Sequence, residues 1–513
     1  MAVRTVWILG DQLLEEHPAL EAARAEGEAR DVVVLLIESY ARLSKQSYHR
    51  KKITLLLSSM RHYCHALETQ GVRVDYRRSR DVTSALQAHL REVRPESLWC
   101  MQASEYRGRA YQEKLVEQLT DIRVQLLPNS QFLLGRHHPF PDVPSDRAIR
   151  METFYRRMRT HFDVLMQPDG EPVGGRWNYD RENRRRLPAG MAIPPLISIP
   201  PDSVTNAVMD EVERMTHLAG STKGFDLAVT HEDAQAALSD FLENRLAQFG
   251  PYEDAMRENN RTLFHAFLSP YLNLGLLEPL AVVRAAEVCF NAGTAPLPSV
   301  EGFIRQVLGW REYIYWQYWR VQPEAWKQNA WAAHRPLPAF FWDADTDMAC
   351  LRNVLKGIHA HGYTHHIERL MLLTNFAMLC SLDPHAVNTW FLGQFVDAYE
   401  WVMFPNVLGM GLHADNGRVG SKPYISSANY IRKMSDFCAS CRYDAHARTG
   451  DQACPFNFLY WNFLLEHEER LRSQPRLGRN VLGLRYLGSE EREQVRREAR
   501  AFLAALQARA GGT

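Results

Sequence analysis

The chain is 513 residues long, too long for one core, and should divide into two or three domains. Its 60 Lys and Arg balance 60 Asp and Glu, so no global field draws it to nucleic acid, and any such contact must rest on a local basic face. No apolar run approaches bilayer length, and eight cysteines in so long a chain exclude a secreted disulfide scaffold; a reducing cytoplasm is expected.

The N-terminal sequence, from Met1 to Gly10, enters a strand directly, without a charged-then-apolar leader. Short apolar runs at Val6–Leu9, Val32–Ile37, Val72–Tyr76 and Leu98–Met101 alternate with helical patterns such as Ile53–Glu68 and Tyr111–Gln118. This alternation predicts a doubly wound parallel sheet, an α/β domain over residues 1–135. Ligands of such sheets sit at the carboxyl ends of the strands, which here carry Gly10-Asp11-Gln12, Glu38-Ser39-Tyr40 and Ala103-Ser104-Glu105. There is no GxGxxG and no Walker lysine, so those polar side chains suit a small heterocycle better than a dinucleotide. Asp11 and Gln12 serve equally well as caps of a following helix.

After about Pro139 the strand pattern stops, and residues 136–206 read as a connector. Met151–Phe162 is an arginine-dense helix, followed by the basic, glycine-bearing run from Gly174 to Arg186 and a proline-rich stretch from Pro188 to Pro201. A charge run is usually a solvated face. Trp177 and Tyr179 among arginines also fit a nucleic-acid contact, since guanidinium meets phosphate and rings stack on bases.

Residues 207–513 read as all-helical, with periodic segments at Glu232–Gln248, Leu280–Asn291, Ser299–Tyr318, Met348–His361, His365–Cys380, Pro384–Phe395 and Ser489–Ala508. Tryptophan is dense here, at positions 310, 316, 326, 331, 342, 390 and 401. Near the end, two residues separate Cys438 from Cys441 and twelve separate Cys441 from Cys454, which has Pro455 behind it. Thiolates at this spacing hold structural zinc or an iron–sulfur cluster. The Cys-Pro step favours the cluster, while His446 within the loop would suit zinc.

Several motifs together resemble the photolyase/cryptochrome flavoproteins, over essentially the whole chain and in particular their iron–sulfur bacterial branch. Leu268-Ser269-Pro270-Tyr271-Leu272 is similar to the family's flavin-site segment. Phe303-Ile304-Arg305-Gln306 through Trp310-Arg311-Glu312 is similar to its flavin-side helix, and His365-His366-Ile367-Glu368-Arg369 to the paired histidines of (6-4) photolyases. The resemblance implies a [4Fe–4S] cluster on Cys350, Cys438, Cys441 and Cys454, leaving Cys64, Cys100, Cys289 and Cys380 as ordinary buried thiols. It implies FAD held by His265, Leu268, Ser269, Gln306, Trp310, Arg311, Asp397, Met403 and Asn406. It implies 6,7-dimethyl-8-ribityllumazine as antenna, bound by Asp11, Gln12, Glu38 and Tyr40. His366, with His365, Tyr424 and Met410, would line the lesion pocket, His366 as proton donor. Trp342, Trp390, Tyr399 and Tyr430 would carry electrons.

The expected activity is light-driven repair of (6-4) photoproducts in UV-damaged DNA by a monomer that flips the lesion out and contacts DNA through Arg176–Arg186. A photoreceptor with the same cofactors is the alternative, and a zinc-stabilised DNA-binding module is a third reading. Three positions depart from the family pattern. Leu370 stands where eukaryotic enzymes carry a second histidine, Met403 where many photolyases have asparagine, and Phe391 where a redox-active tyrosine is expected.

Overall fold

Five parallel strands form one sheet in the order β3-β2-β1-β4-β5, with β1 at Arg4–Trp7, β2 at Val32–Ser39, β3 at Arg73–Ser79, β4 at Ser97–Met101 and β5 at Arg123–Leu127. The computed structural model describes residues 3–137, 149–420, 422–473 and 481–510; residues 138–148, where the connector was expected to begin, lie outside these. The four predicted strands are present within a few residues of their expected bounds. The fifth, β5, is an edge strand, and Arg123 and Gln125 interrupt the apolar run that would have marked it.

The central strands β1 and β4 are buried along their whole length, as a sheet covered on both faces requires. Chain order reverses between them, so the crevice at their carboxyl ends lies between the loops after Trp7 and Met101. There Ser104 Oγ donates to Asp11 Oδ2 at 2.9 Å.

The connector is less solvated than its charge suggests. In the helix Met151–Phe162, Phe154, Tyr155 and Met158 are fully buried, and Arg159 turns inward to donate to the carbonyls of Val164, Leu165 and Trp177. A buried guanidinium needs such acceptors. The helix Ser203–Glu213, capped by Asp202, straddles the expected boundary at 206 and packs on the helix Arg50–Thr69.

Beyond it the fold is helical. Two of the long predicted helices are not regular α-helices: π-helical segments at Arg305–Arg311 and Arg369–Thr374 interrupt them, and a third lies at Phe404–Gly411. Such segments concentrate at functional sites because the wider turn re-aims side chains.

One apolar cluster runs from the sheet through the connector into the first helices of this part, and another surrounds the cysteine-bearing C-terminal helices. At the junction Phe132 stacks on Tyr315 with centroids 3.5 Å apart, edge-on to Trp401 at 4.7 Å, with the Arg311 guanidinium over its ring at 4.4 Å. Phe132 is 1% exposed, so truncation leaves a cavity against aromatic neighbours that cannot easily collapse. Phe132→Ala should cost about 3–5 kcal/mol, read as a lowered denaturant midpoint at unchanged slope.

Candidate active site and cysteine cradle

Asp397 gathers the helical part of the site. Its carboxylate takes both guanidinium nitrogens of Arg369, each at 3.0 Å, and the Ser269 hydroxyl at 2.7 Å. Its backbone carbonyl accepts from Asn273 Nδ2 at 2.9 Å. From the other side Lys52 Nζ donates to the carbonyls of Ala398 at 2.5 Å and Leu392 at 2.7 Å, and burial lowers its ammonium to about 8. Asp397, Ser269 and Leu268 are thus brought together.

Beside them lie three imidazoles, His265, His365 and His366, each offering a nitrogen within 4.8 Å of the others. His265 and His365 stack almost parallel at 4.7 Å, an arrangement that points their lone pairs alongside one another rather than at a common ion. Burial holds both rings neutral, well below the usual imidazole range; His365 lowers His265 further, and His366 lowers both. His265 Nε2 pairs with the Glu253 carbonyl at 3.0 Å, whereas both ring nitrogens of the fully buried His365 have no hydrogen-bond partner in the protein. Unpaired polar atoms this deep fit a site shaped for a bound polar group. His366 differs: its side chain is 51% exposed, and Nε2 faces Asp254 Oδ1 at 3.6 Å.

The remaining flavin-site candidates spread more widely. Gln306 and Asn406 donate to Gly302 and Val402 within their own helical turns, Met403 is buried, and Trp310 packs edge-on to Tyr313. Arg311 points away from Asp397, to the Gln131 carbonyl and Glu312, at the junction with the sheet. Met410 is half-buried against Gly420, and half-buried Tyr424 lies under the Lys422 ammonium at 5.8 Å.

Trp342, Trp390, Tyr399 and Tyr430 do not form one chain of touching rings. Trp342 is 51% exposed; Trp390 is buried against Phe341, Phe391 and Phe395. Phe395 in turn lies under the Arg369 guanidinium at 4.2 Å, so the aromatic contacts from Trp390 lead to the Asp397 pair. Tyr399 sits instead under Lys52, facing the sheet, and Tyr430 is near Asp254.

At the strand ends, Asp11 is pushed up by burial and by Glu105, and Gln12 is fully buried with its Oε1 unpaired. Glu38 does not share that crevice's free polarity. Its carboxylate is filled by Arg61 at 2.9 Å, Arg78 at 3.2 Å and the Tyr76 hydroxyl, because a carboxylate this buried needs charge partners. Tyr40 is 40% exposed.

The four cysteines Cys350, Cys438, Cys441 and Cys454 line one cavity with Met348, Ile431, Phe437 and Tyr443. Cys350 opens the helix Ala349–His361 and Cys454 caps Pro455–Glu466, so each lies at a helix N-terminus, where the dipole favours a thiolate. Pro455 occupies the first helical position, where a missing N–H costs nothing. Asn457 pins the loop by donating to Ala445 and Ala447 and accepting from Ala428. Among the described residues no three cysteine sulfurs converge within 4.8 Å, whereas tetrahedral zinc–thiolate bonds would set them about 3.8 Å apart. Four thiols in one cavity are a donor set that both zinc and iron–sulfur clusters use.

Sequence reasoning passed over Asp254, Glu253 and Lys52. Lys51-Lys52 carried a signal, because cations in the first turn of a helix oppose its dipole and must be used elsewhere.

A family model described as deoxyribodipyrimidine photo-lyase-related protein matches residues 6–227. A (6-4) photolyase of Agrobacterium fabrum is 40% identical over 506 residues, covering 97% of this chain and 98% of its own. The chain belongs to the photolyase/cryptochrome family. Two solved structures share the fold: a bacterial class III photolyase from Agrobacterium tumefaciens, 17% identical over 98% of both chains, and a Synechocystis cryptochrome, 14% identical over 85% of this chain and 88% of that one. Both align with a TM-score of 0.59. Membership in this family of flavoproteins implies FAD.

Two predictions test this photolyase-family site. Cys454→Ala should yield insoluble or cofactor-poor protein, because metal binding and folding are coupled; iron content and recovered soluble protein measure it. Burial raises the Glu253 carboxyl to about 8. Its folded form therefore holds a proton that the unfolded chain releases near 4.5, so stability falls as pH rises between 4.5 and 8. Glu253→Gln should flatten that decline in melting temperature.

Proposed function

We propose that this protein repairs (6-4) pyrimidine–pyrimidone photoproducts in DNA under light, with His366 as the proton donor. The observation that carries the reading is the asymmetry of the imidazole cluster: two members buried and neutral, the third half exposed and backed by a carboxylate. Reduced FAD, when bound, would supply the light-driven electron. His265, Ser269, Asp397 and the unpaired nitrogens of His365 would hold it.

The protein's own residues account for the rest. The lesion must leave the stack to reach His366, and Met410 and Tyr424 are the further candidates for its pocket. His366 holds a proton at a ring nitrogen for the group that transfers during repair. Leu370, apolar, offers no second proton carrier. Exposed Arg176, Arg181, Arg184, Arg185 and Arg186 are the candidate phosphate contacts, on a connector anchored by fully buried Asn183.

The cysteine cavity supports a [4Fe–4S] cluster, and the buried, unpaired Gln12 Oε1 beside Asp11 supports a lumazine antenna at the strand ends. We read the chain as an antenna domain over 1–135, a connector over 136–206 and a catalytic domain over 207–513, acting as a cytoplasmic monomer. No described helix is long and apolar enough to cross a membrane.

The test is repair of a defined (6-4) lesion in single-stranded DNA under blue light, with bound FAD quantified. Wild type should repair, and His366→Ala should retain FAD while losing at least about 100-fold in rate. Equal repair by both would discard the proton donor. FAD-loaded wild type that repairs nothing would turn the reading to a photoreceptor.

A further inference from the structure

We infer that Asp254 is the positioning residue for His366, and that Arg184 of the connector ties this pair to the DNA backbone. The inference deepens the repair reading and rests on it. Asp254 follows the helix Leu246–Tyr252, and its two oxygens face different partners. Oδ1 lies 3.6 Å from His366 Nε2, and Oδ2 lies 3.8 Å from Arg184 Nε. The carboxylate is 18% exposed, behind an imidazole 51% exposed and a guanidinium 63% exposed. A sheltered anion thus backs two groups that open toward solvent, one able to serve a flipped base and the other a phosphate.

A half-exposed imidazole by itself samples several rotamers and both tautomers. A carboxylate at one nitrogen fixes the ring and leaves the other nitrogen for the cleft. The groups around His366 leave that task to Asp254. His265 and His365, at ring distances of 5.2 and 6.4 Å, are neutral and buried. Glu368 faces His365 and is held protonated by burial, Arg369 is committed to Asp397, and Tyr430 stands near Asp254 with its phenol kept protonated by burial. Leu370 brings no polar atom.

Arg184 shares the carboxylate without needing it, since Asp180 lies 3.9 Å from the same guanidinium. Asp180 pairs with Arg305, and Asn183 donates to the Pro298 carbonyl, so the connector stays anchored if the Arg184 side chain swings out. A DNA phosphate that draws Arg184 away leaves Asp254 to His366. Binding of the backbone and orientation of the proton donor are coupled through one carboxylate.

The experiment compares FAD-loaded wild type with Asp254→Asn, Asp254→Glu and Arg184→Ala. It reads single-turnover repair, the Kd for lesion DNA across salt concentrations, and histidine ring ¹⁵N shifts in the dark. Asp254→Asn should slow repair about tenfold at a Kd within about twofold of wild type, and Asp254→Glu should restore most of the rate. Arg184→Ala should weaken binding and reduce the salt slope by about one. Wild-type repair by Asp254→Asn, or equal loss of FAD from both Asp254 variants, overturns the positioning role. An unchanged salt slope in Arg184→Ala overturns the phosphate link. If wild type repairs nothing, the repair reading fails while the ¹⁵N arm still decides the pair: His366 shifts must differ between wild type and Asp254→Asn, and identical shifts overturn it.

Discussion

One carboxylate, Asp397, holds the helical half of the site together. It joins the SPYL segment through Ser269 and Asn273 and the histidine motif through Arg369, and the carbonyl of its neighbour Ala398 takes the ammonium of Lys52 from the N-terminal part. A carboxylate this buried is costly unless charge and hydrogen bonds surround it, and removing one partner would leave the others stranded. The rings of Phe395 and Tyr363 both pack on the Arg369 guanidinium, which limits its rotamers and supports the fork that grips Asp397. Stretches more than 300 residues apart in sequence are thereby fixed to within a few ångströms of each other.

The same constraint explains the imidazoles. Arg369 also donates through Nε to the Thr364 carbonyl at 2.7 Å, so the turn that leads into His365 and His366 is set by the residue that grips Asp397. Where that turn places His365 inside and His366 outside, identical side chains acquire different chemistry. Desolvation makes the first a neutral hydrogen-bonding surface. The second stays open to solvent, with Asp254 Oδ1 3.6 Å from its Nε2.

Much of this was legible in the sequence, and the misses have physical causes. The strands β1, β2 and β4 and the helices at Met151–Phe162 and Pro279–Asn291 announced themselves because burial on a regular face imposes a period. The strand β5 did not, because an edge strand tolerates Arg123 and Gln125. The π-helical interruptions left no trace, since an added residue per turn shifts the apolar stripe too little to read over two turns. The family resemblance makes Glu38 an antenna ligand; its partners Arg61 and Arg78 come from elements that periodicity cannot bring together. Arg159 looked like part of a solvated basic face, yet it points inward. Asp254 carries no motif at all, and only the fold shows that it lies between a histidine 112 positions later and a connector arginine.

One helix that connects the cysteine cradle to the site is Ala349–His361. Ala349–His361 begins with Cys350 in the cradle and ends at Gly362, whose left-handed φ of 65° turns the chain toward Tyr363, Thr364 and the histidines. Thirteen residues span about 20 Å, too far for the cradle to touch the imidazoles but rigid enough to fix where the turn begins. Gly362 is packed there: a Cβ would meet Val396 at 2.8 Å, and the Val396 N–H donates to its carbonyl at 2.9 Å, one residue before Asp397. The helix is therefore held at its C-terminal end by the Asp397 loop, while near its start Cys350 lines the cysteine cavity. A cluster in the cradle would order the histidine pair mechanically, through the position of that helix, whether or not it ever exchanges an electron.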